Sequence, residues 1–155
     1  VATPGTVSSH SYATEIGKLF PEVTVEEQAC PMWVPLVEYG ESNAPGADYF
    51  VEKYTSELMQ RDPKIDTIIL GCTHYPLLRP KIREALPESV ELISQGELVA
   101  SSLADYLLRH PEMEHRLSQG GEISYRTTEC PEKFEELASI FTGTEVRATR
   151  VKITG

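Results

Sequence analysis

Long apolar runs are missing from this chain of 155 residues. No stretch approaches the roughly 20 residues that a membrane-spanning helix needs, and no signal-peptide pattern opens it. Positive charge is scarce: 14 Lys and Arg stand against 24 Asp and Glu, a formal net charge of −10. Nucleic acids and anionic membrane surfaces require a dense positive face, so neither is expected as a partner. A small anion is not excluded, because backbone amides at helix N-termini bind anions even in an acidic protein. Cysteine is also sparse. The three present, Cys30, Cys72 and Cys130, are an odd number at wide spacing. That argues against a secreted disulfide framework and for reduced thiols in the cytoplasm. No Cys-x-x-Cys pair occurs, so zinc assembled from Cys30, Cys72, His74 and Cys130 is not expected. Repeats and low-complexity segments are lacking too. The chain opens on Val1 in "VATPGT", which reads as a strand end entering a turn, so a preceding segment is expected.

What is present is a rhythm of strand, turn and helix. "VSSHSYATEIGKLF" places Tyr12, Ile16, Leu19 and Phe20 at helical spacing. "EVTVEEQAC" alternates Val23 and Val25 and predicts a strand. "APGADYFVEKYTSELMQR" predicts a helix with Tyr49, Phe50, Tyr54, Leu58 and Met59 on its apolar side, broken by "DPK". "IDTIILG" predicts a buried strand rich in β-branched residues. "YPLLRPKIREAL" predicts a helix with prolines in its first turns. "SVELI" reads as a strand, and a helix follows a cap-like Ser94 with Leu98, Leu103, Tyr106 and Leu107 inward. The polar loop "PEMEHRLSQGGE" leads to strand "ISYRTT", helix "PEKFEELASIF" with Phe134, Leu137 and Phe141 inward, and strand "EVRATRVKI". Strands alternating with helices predict an α/β fold with mostly parallel strands. A composition shift near Ser94 suggests a boundary, giving residues 1–94 and 95–155.

In open α/β sheets, ligands bind beyond the carboxyl ends of the strands. Three segments carry polar groups to such ends: Thr3 and Thr6, Cys30 to Glu38, and Cys72 to His74 in "LGCTHYP". Cys72 has the best surroundings. The positive end of a following helix favours a thiolate, and a neighbouring imidazole exchanges a proton with it. Thr73 adds a hydroxyl and an N–H. For an isolated cysteine the packing reading comes first, since free Cys is among the most buried types. The adjacent Thr73 and His74 turn Cys72 towards chemistry. Cys30 and Cys130 have no such neighbours and are read as packing residues. Glu38 matters only if it reaches His74 or Cys72. Thr3 and Thr6 alternatively form turn bonds. His10, His110 and His115 read as surface, and Met32 and Trp33 as core or interface.

These segments resemble the cofactor-independent glutamate racemases. "GCTHYPLL" is similar to that family's second cysteine motif, and "ACPMWVPLVE" to the segment carrying its glutamate. "VATPGTVSSHSY" resembles the Thr-x-x-Thr turn opening its second lobe, and "TTECPEKFEELA" its C-terminal strand and helix. The similarity runs in order over nearly all the chain. It implies a parallel-sheet lobe of a two-lobed α/β fold with the active site between lobes. It also implies exchange of the Cα proton of glutamate between two cysteines, with neither cofactor nor metal. Carried over by motif, Cys72 matches the second catalytic cysteine, His74 its assisting imidazole and Glu38 the carboxylate near that imidazole. Thr73, Thr3 and Thr6 match substrate contacts. A homodimer, a cytoplasmic location and a supply of D-glutamate for peptidoglycan are implied by the same resemblance.

The family's first catalytic cysteine, in an Asn-Thr-containing motif, and its early glycine-rich turn have no counterpart here. "ISQGE" stands where an Asp-Ser-Gly-like turn is expected. Residues 1–94 thus match the second lobe and 95–155 the segment returning to the first, most of which is missing. Half of a two-base site should not racemise alone. Two other readings stay open: a different racemase of the superfamily, such as one acting on aspartate, and a thiol hydrolase or transferase with Cys72 as nucleophile and His74 as base. A module that only binds an acidic ligand is a third.

Overall fold

The computed structural model describes residues 1–153. The chain forms two compact units, Val1–Ser101 and Ser102–Gly155.

In the first unit, Pro4–Ser8 forms α1 and Ser11–Leu19 forms α2. Thr3 caps α1 by accepting from the Thr6 amide at 3.4 Å, and Pro supplies the preset φ of a first turn. Trp33–Glu38 is α3 and Pro45–Arg61 is α4, with Asp48 in the first turn of α4 and Arg61 in its last, each suited to the helix dipole there. Strands β1 (Thr67–Leu70) and β2 (Glu91–Ser94) pair in parallel, with Thr67 opposite Glu91 and Leu70 opposite Ser94. On the other side of β1 lies Val1: its ammonium donates to Ile69 O at 3.1 Å, and Gly71 N donates to Val1 O at 2.9 Å. Ala2 in turn bridges Ala29 in parallel. The backbone order is therefore 28–30, 1–2, β1, β2.

The core is one cluster built on Trp33, Val37, Val51, Leu70, Tyr75, Leu78 and Ile82, all buried. Trp33 meets the Tyr75 ring edge-on at 4.8 Å and donates Nε1–H to Phe50 O at 3.3 Å. Aromatic pairs in this arrangement contribute roughly 0.5–1.5 kcal/mol beyond the area they bury.

Several expectations need correction. Among the described residues the strand over 22–30 is reduced to the single bridge at Ala29, where the neighbouring backbone is that of Val1 and Ala2; Val23 is exposed. The helix over 75–86 splits into a 3-10 turn, Tyr75–Leu78, and a short α5, Arg79–Glu84. Pro80 has no N–H to donate to Pro76 O, so a continuous α-helical ladder cannot form there, and Arg79 N closes the tighter bond to Pro76 O instead. Leu19 (74% exposed) and Phe20, expected inward from α2, face out, as does Tyr49 on α4.

Gln95–Arg109 forms α6, which carries the division between the units and buries none of its residues. Leu98, Leu103 and Tyr106, expected inward, are exposed and Leu107 is half-buried.

In the second unit, Pro111–Glu114 forms a short helix, α7, where a loop was expected; Pro sits in its first turn and the His110 carbonyl accepts from Met113 and Glu114. Strands β3 (Tyr125–Thr127) and β4 (Ala148–Arg150) pair in parallel, flanking α8 (Pro131–Thr142) in sequence. Helix α8 ends at Gly143 with φ of 67°, a left-handed position that favours glycine. Phe134 and Leu137 are half-buried, while Phe141 is exposed. The expected alternation of strands and helices, and their parallel pairing, are both found.

Among the described residues no helix is long and apolar enough to cross a membrane, and no group of three or more His, Cys, Asp and Glu is arranged to hold a metal ion.

Candidate functional site

Three chain ends lie side by side in the first unit: Thr3 after Ala2, Cys30 after Ala29 and Cys72 after Gly71. The bridge of Ala2 to Ala29 and the Gly71 to Val1 bond fix that order. Gly71 is demanded by space. A Cβ there would lie 3.0 Å from Val1 O and 3.1 Å from the Tyr12 ring. That close approach sets where the next residue, Cys72, leaves the sheet.

Cys72, half-buried, places Sγ 3.7 Å from His74 Nδ1. His74 Nε2 lies 3.2 Å from Glu38 Oε1, at the C-terminal end of α3. The His74 side chain is 22% exposed and that of Glu38 45%. Glu38 therefore does reach His74, across 36 residues of sequence. A carboxylate can only accept, so the contact assigns the proton to Nε2 and leaves the Nδ1 lone pair facing the thiol. Thr73 Oγ1 also lies 3.4 Å from Nδ1, as a second donor to that lone pair. The arrangement can take a proton from the Cys72 thiol and hold the resulting imidazolium against a carboxylate.

The helix dipole contributes less than the sequence suggested. Cys72 O accepts from Tyr75 N at 3.2 Å in a 3-10 turn, and the α-helix beyond it has only six residues. Imidazole and carboxylate are the stronger local features.

Thr3 and Thr6 contact each other, Oγ1 to Oγ1 at 3.0 Å. They stand at the strand end next to that of Cys72, and Thr3 also caps α1, so the turn reading of this pair is realised.

The other cysteines separate. Cys30 is fully buried, and desolvation pushes its thiol from an ordinary 9.0 up to about 12. It is a packing residue, as expected. Cys130 is exposed and donates from Sγ to Glu132 at 2.8 Å, so the packing reading fails for it. It occupies the N-cap position of α8, where an extended backbone turns the side chain outward.

Two tyrosines that the sequence did not single out support the site. Tyr75, buried, donates its hydroxyl to Cys30 O at 3.3 Å, and burial holds that phenol protonated far above its ordinary range. Tyr12 packs on Gly71 and accepts a hydrogen bond from Gln95 Nε2. The visible signal for Tyr75 was its place directly after the Cys-Thr-His triplet; Tyr12 had none beyond helical spacing. His10 is exposed and pairs with Glu27 at 2.6 Å, and His115 is exposed; His110 is only half-buried and pairs with Glu112 at 3.0 Å.

Fold and site together define an α/β unit with a thiol, an imidazole and a carboxylate in line at the carboxyl ends of parallel strands. No family model matches the chain. Curated relatives do. It is 37% identical over 143 residues to a glutamate racemase of Geobacter metallireducens, covering 92% of this chain and 52% of that one. It is 40% identical over 140 residues to a glutamate racemase of Dinoroseobacter shibae, covering 90% of this chain and 50% of the other. Among solved structures, a glutamate racemase isoform from Bacillus anthracis superposes with a TM-score of 0.81 at 30% identity, over 98% of this chain and 56% of that one. The Francisella tularensis glutamate racemase in complex with D-glutamate gives 0.78 at 29% identity, over 99% and 56%. The chain is homologous to the glutamate racemases, and it spans about half the length of the relatives it matches.

Proposed function

We propose that this chain is the part of a glutamate racemase that carries the second of two proton-transfer cysteines, with Cys72 acting on one face of the substrate Cα. The observation that carries the reading is the line of atoms from Cys72 Sγ through His74 to Glu38 at 3.7 and 3.2 Å. The α-proton of an amino acid is a very weak acid, so the site must hold a thiolate and stabilise a carbanion-like transition state with preorganised polar groups. When the Cys72 thiol delivers its proton to Cα, Sγ is left as the thiolate beside His74; when the thiolate takes the Cα proton, the S–H bond reforms and the electron pair of the broken C–H bond stays on Cα. Thr73 offers a hydroxyl and an N–H to a substrate carboxylate. Thr3 and Thr6, at the neighbouring strand end, offer two hydroxyls to the other. Residues 1–94 form the site-bearing lobe in this reading, and 95–155 return to the other.

Inversion needs an acid on the opposite face, because one base returns the proton where it came from. The relatives are nearly twice as long, so that acid belongs to the half this chain does not cover. The chain alone should not racemise. D-Glutamate for peptidoglycan, a cytoplasmic location and a homodimeric full-length protein complete the proposal.

The test is a chimaera in which this chain replaces the matched half of the Geobacter metallireducens relative. Incubated with L- and then D-glutamate in deuterated water, it should exchange Cα hydrogen and invert, and Cys72→Ala should abolish inversion. A folded chimaera with no exchange would overturn the proposal, as would inversion by the isolated chain. A thiol hydrolase or transferase would instead leave a trappable acyl group on Cys72.

A further inference from the structure

The contact between Glu38 and His74 lies near the surface, with the two side chains 45% and 22% exposed. A charged pair at such exposure contributes little and does little to hold its own geometry. The placement of the two groups therefore has to come from the layer beneath them. Glu38 is the last residue of α3 and Trp33 the first. Trp33, Leu36 and Val37 fall on one side of this helix, at i, i+3 and i+4, and all are buried. The helix thus sits on the core and lifts Glu38 to the rim.

His74 directly precedes the 3-10 turn Tyr75–Leu78, whose Tyr75 and Leu78 are buried. The turn and α3 meet at Tyr75 and Trp33, whose rings stand at 80° with 4.8 Å between their centres. One backbone carbonyl ties both elements. Cys30 O accepts the Trp33 amide at 3.3 Å, where α3 begins. It also accepts the Tyr75 hydroxyl at 3.3 Å, across 45 residues of sequence. Cys30 is in turn held to the sheet, its N donating to Ala2 O at 2.9 Å.

Cys30, Trp33 and Tyr75 are each fully buried. A buried hydroxyl that loses its acceptor finds no water to replace it, so the Tyr75 bond is directional in a way that the half-exposed contact above it is not. The same carbonyl therefore fixes the start of the helix that carries Glu38 and the residue that follows His74.

We propose that Tyr75 is a positioning residue for this site: its hydroxyl, sharing the Cys30 carbonyl with the start of α3, holds His74 in register with Glu38. That register keeps the imidazole proton on Nε2 and turns the Nδ1 lone pair to the Cys72 thiol. Its consequence for proton exchange rests on Cys72 being the proton-transfer thiol; the placement of His74 does not.

The experiment reads the His74 tautomer in the full chain by long-range proton–nitrogen correlation spectra at about pH 8.5, above the ordinary range of an imidazole. His74→Gln assigns the signal. Tyr75→Phe keeps the ring against Trp33 and removes only the hydroxyl bond. The ratio of the Nε2–H to the Nδ1–H tautomer should fall by about 2- to 10-fold, the equilibrium worth of one hydrogen bond. Glu38→Ala should lower the same ratio, and adding Tyr75→Phe to it should change nothing further, because no contact is left to position. Ile68→Val, buried in β1, controls for a general loss of packing and should leave the ratio as it is. An unchanged ratio in folded Tyr75→Phe overturns the proposal. So does an equal fall in Ile68→Val, or a second full fall when Tyr75→Phe is added to Glu38→Ala. A failed racemase reading shows differently, as a folded chimaera without Cα exchange whose His74 tautomer still responds to Tyr75→Phe; that result leaves the positioning role standing.

Discussion

Replacing Gly71 by Ala tests how the sheet positions the site. The added methyl would sit 3.0 Å from Val1 O and 3.1 and 3.2 Å from two carbons of the Tyr12 ring. Ordinary carbon contacts lie near 3.5–4.0 Å, so several tenths of an ångström must be found on both sides. Val1 O cannot yield cheaply, because it accepts the amide of Gly71 itself at 2.9 Å. The Tyr12 hydroxyl accepts a hydrogen bond from Gln95 Nε2, which restrains the ring. Overpacking of this kind costs roughly 1–3 kcal/mol. At about 4–8 °C per kcal/mol for a unit of this size, Gly71→Ala should melt about 5–20 °C below the parent chain. Gly17→Ala is the matched control: it lies within α2 with nothing inside 4 Å, so alanine there should stabilise by up to about 1 kcal/mol. Tyr12→Ala combined with Gly71→Ala relieves only the ring contact and should recover part of the loss. Thermal melts followed by far-ultraviolet circular dichroism read all four proteins. A Gly71→Ala chain melting within a degree of the parent would refute the argument that close approach to Val1 fixes this turn.

Cys30 should resist iodoacetamide at pH 8 in the folded chain while Cys130 is modified, as read by mass spectrometry, because Cys30 is buried and its thiol is pushed up to about 12. The same shift sets a pH dependence: a thiol whose folded value exceeds its ordinary 9.0 stabilises the fold below pH 9, and that stability is lost as pH rises towards 12. Urea midpoints should therefore fall between pH 9 and 10, before the tyrosines enter, and Cys30→Ala should remove that fall. Tyr75→Phe should cost only about 0.5–1 kcal/mol in urea unfolding, since Cys30 O keeps the Trp33 amide at 3.3 Å and no acceptor is orphaned. In the chimaera, Glu38→Gln should lower Cα exchange by roughly tenfold or more while Cys72 remains alkylatable, because the carboxylate acts through His74.

The sequence was most legible where a local rule decides the outcome. "TIIL" became a strand because β-branched residues meet two neighbours there, and Pro45 and Pro131 open helices because a first turn needs no N–H from them. The contact of His74 with Glu38 was legible only as a condition, since 36 residues separate them and it depends on strand order. That order rests on backbone bonds of Val1 and Ala2, which no side-chain pattern encodes. The errors share one physical origin. Leu19, Phe20, Leu98, Leu103 and Tyr106 have the spacing of buried faces but are exposed. Residues 22–28 have the alternation of a strand, yet only the bridge at Ala29 forms. Periodicity reports which side chains would gain by burial, whereas burial itself requires a partner surface. Leu19, Phe20, Leu98 and Leu103 have that periodicity and stay exposed within the described residues. The motif residues do not suffer this limit: Cys72, Thr73 and His74 are adjacent in sequence, so their proximity was readable before any fold was known. Glu38 lies 36 residues from His74, and the fold brings the two into contact.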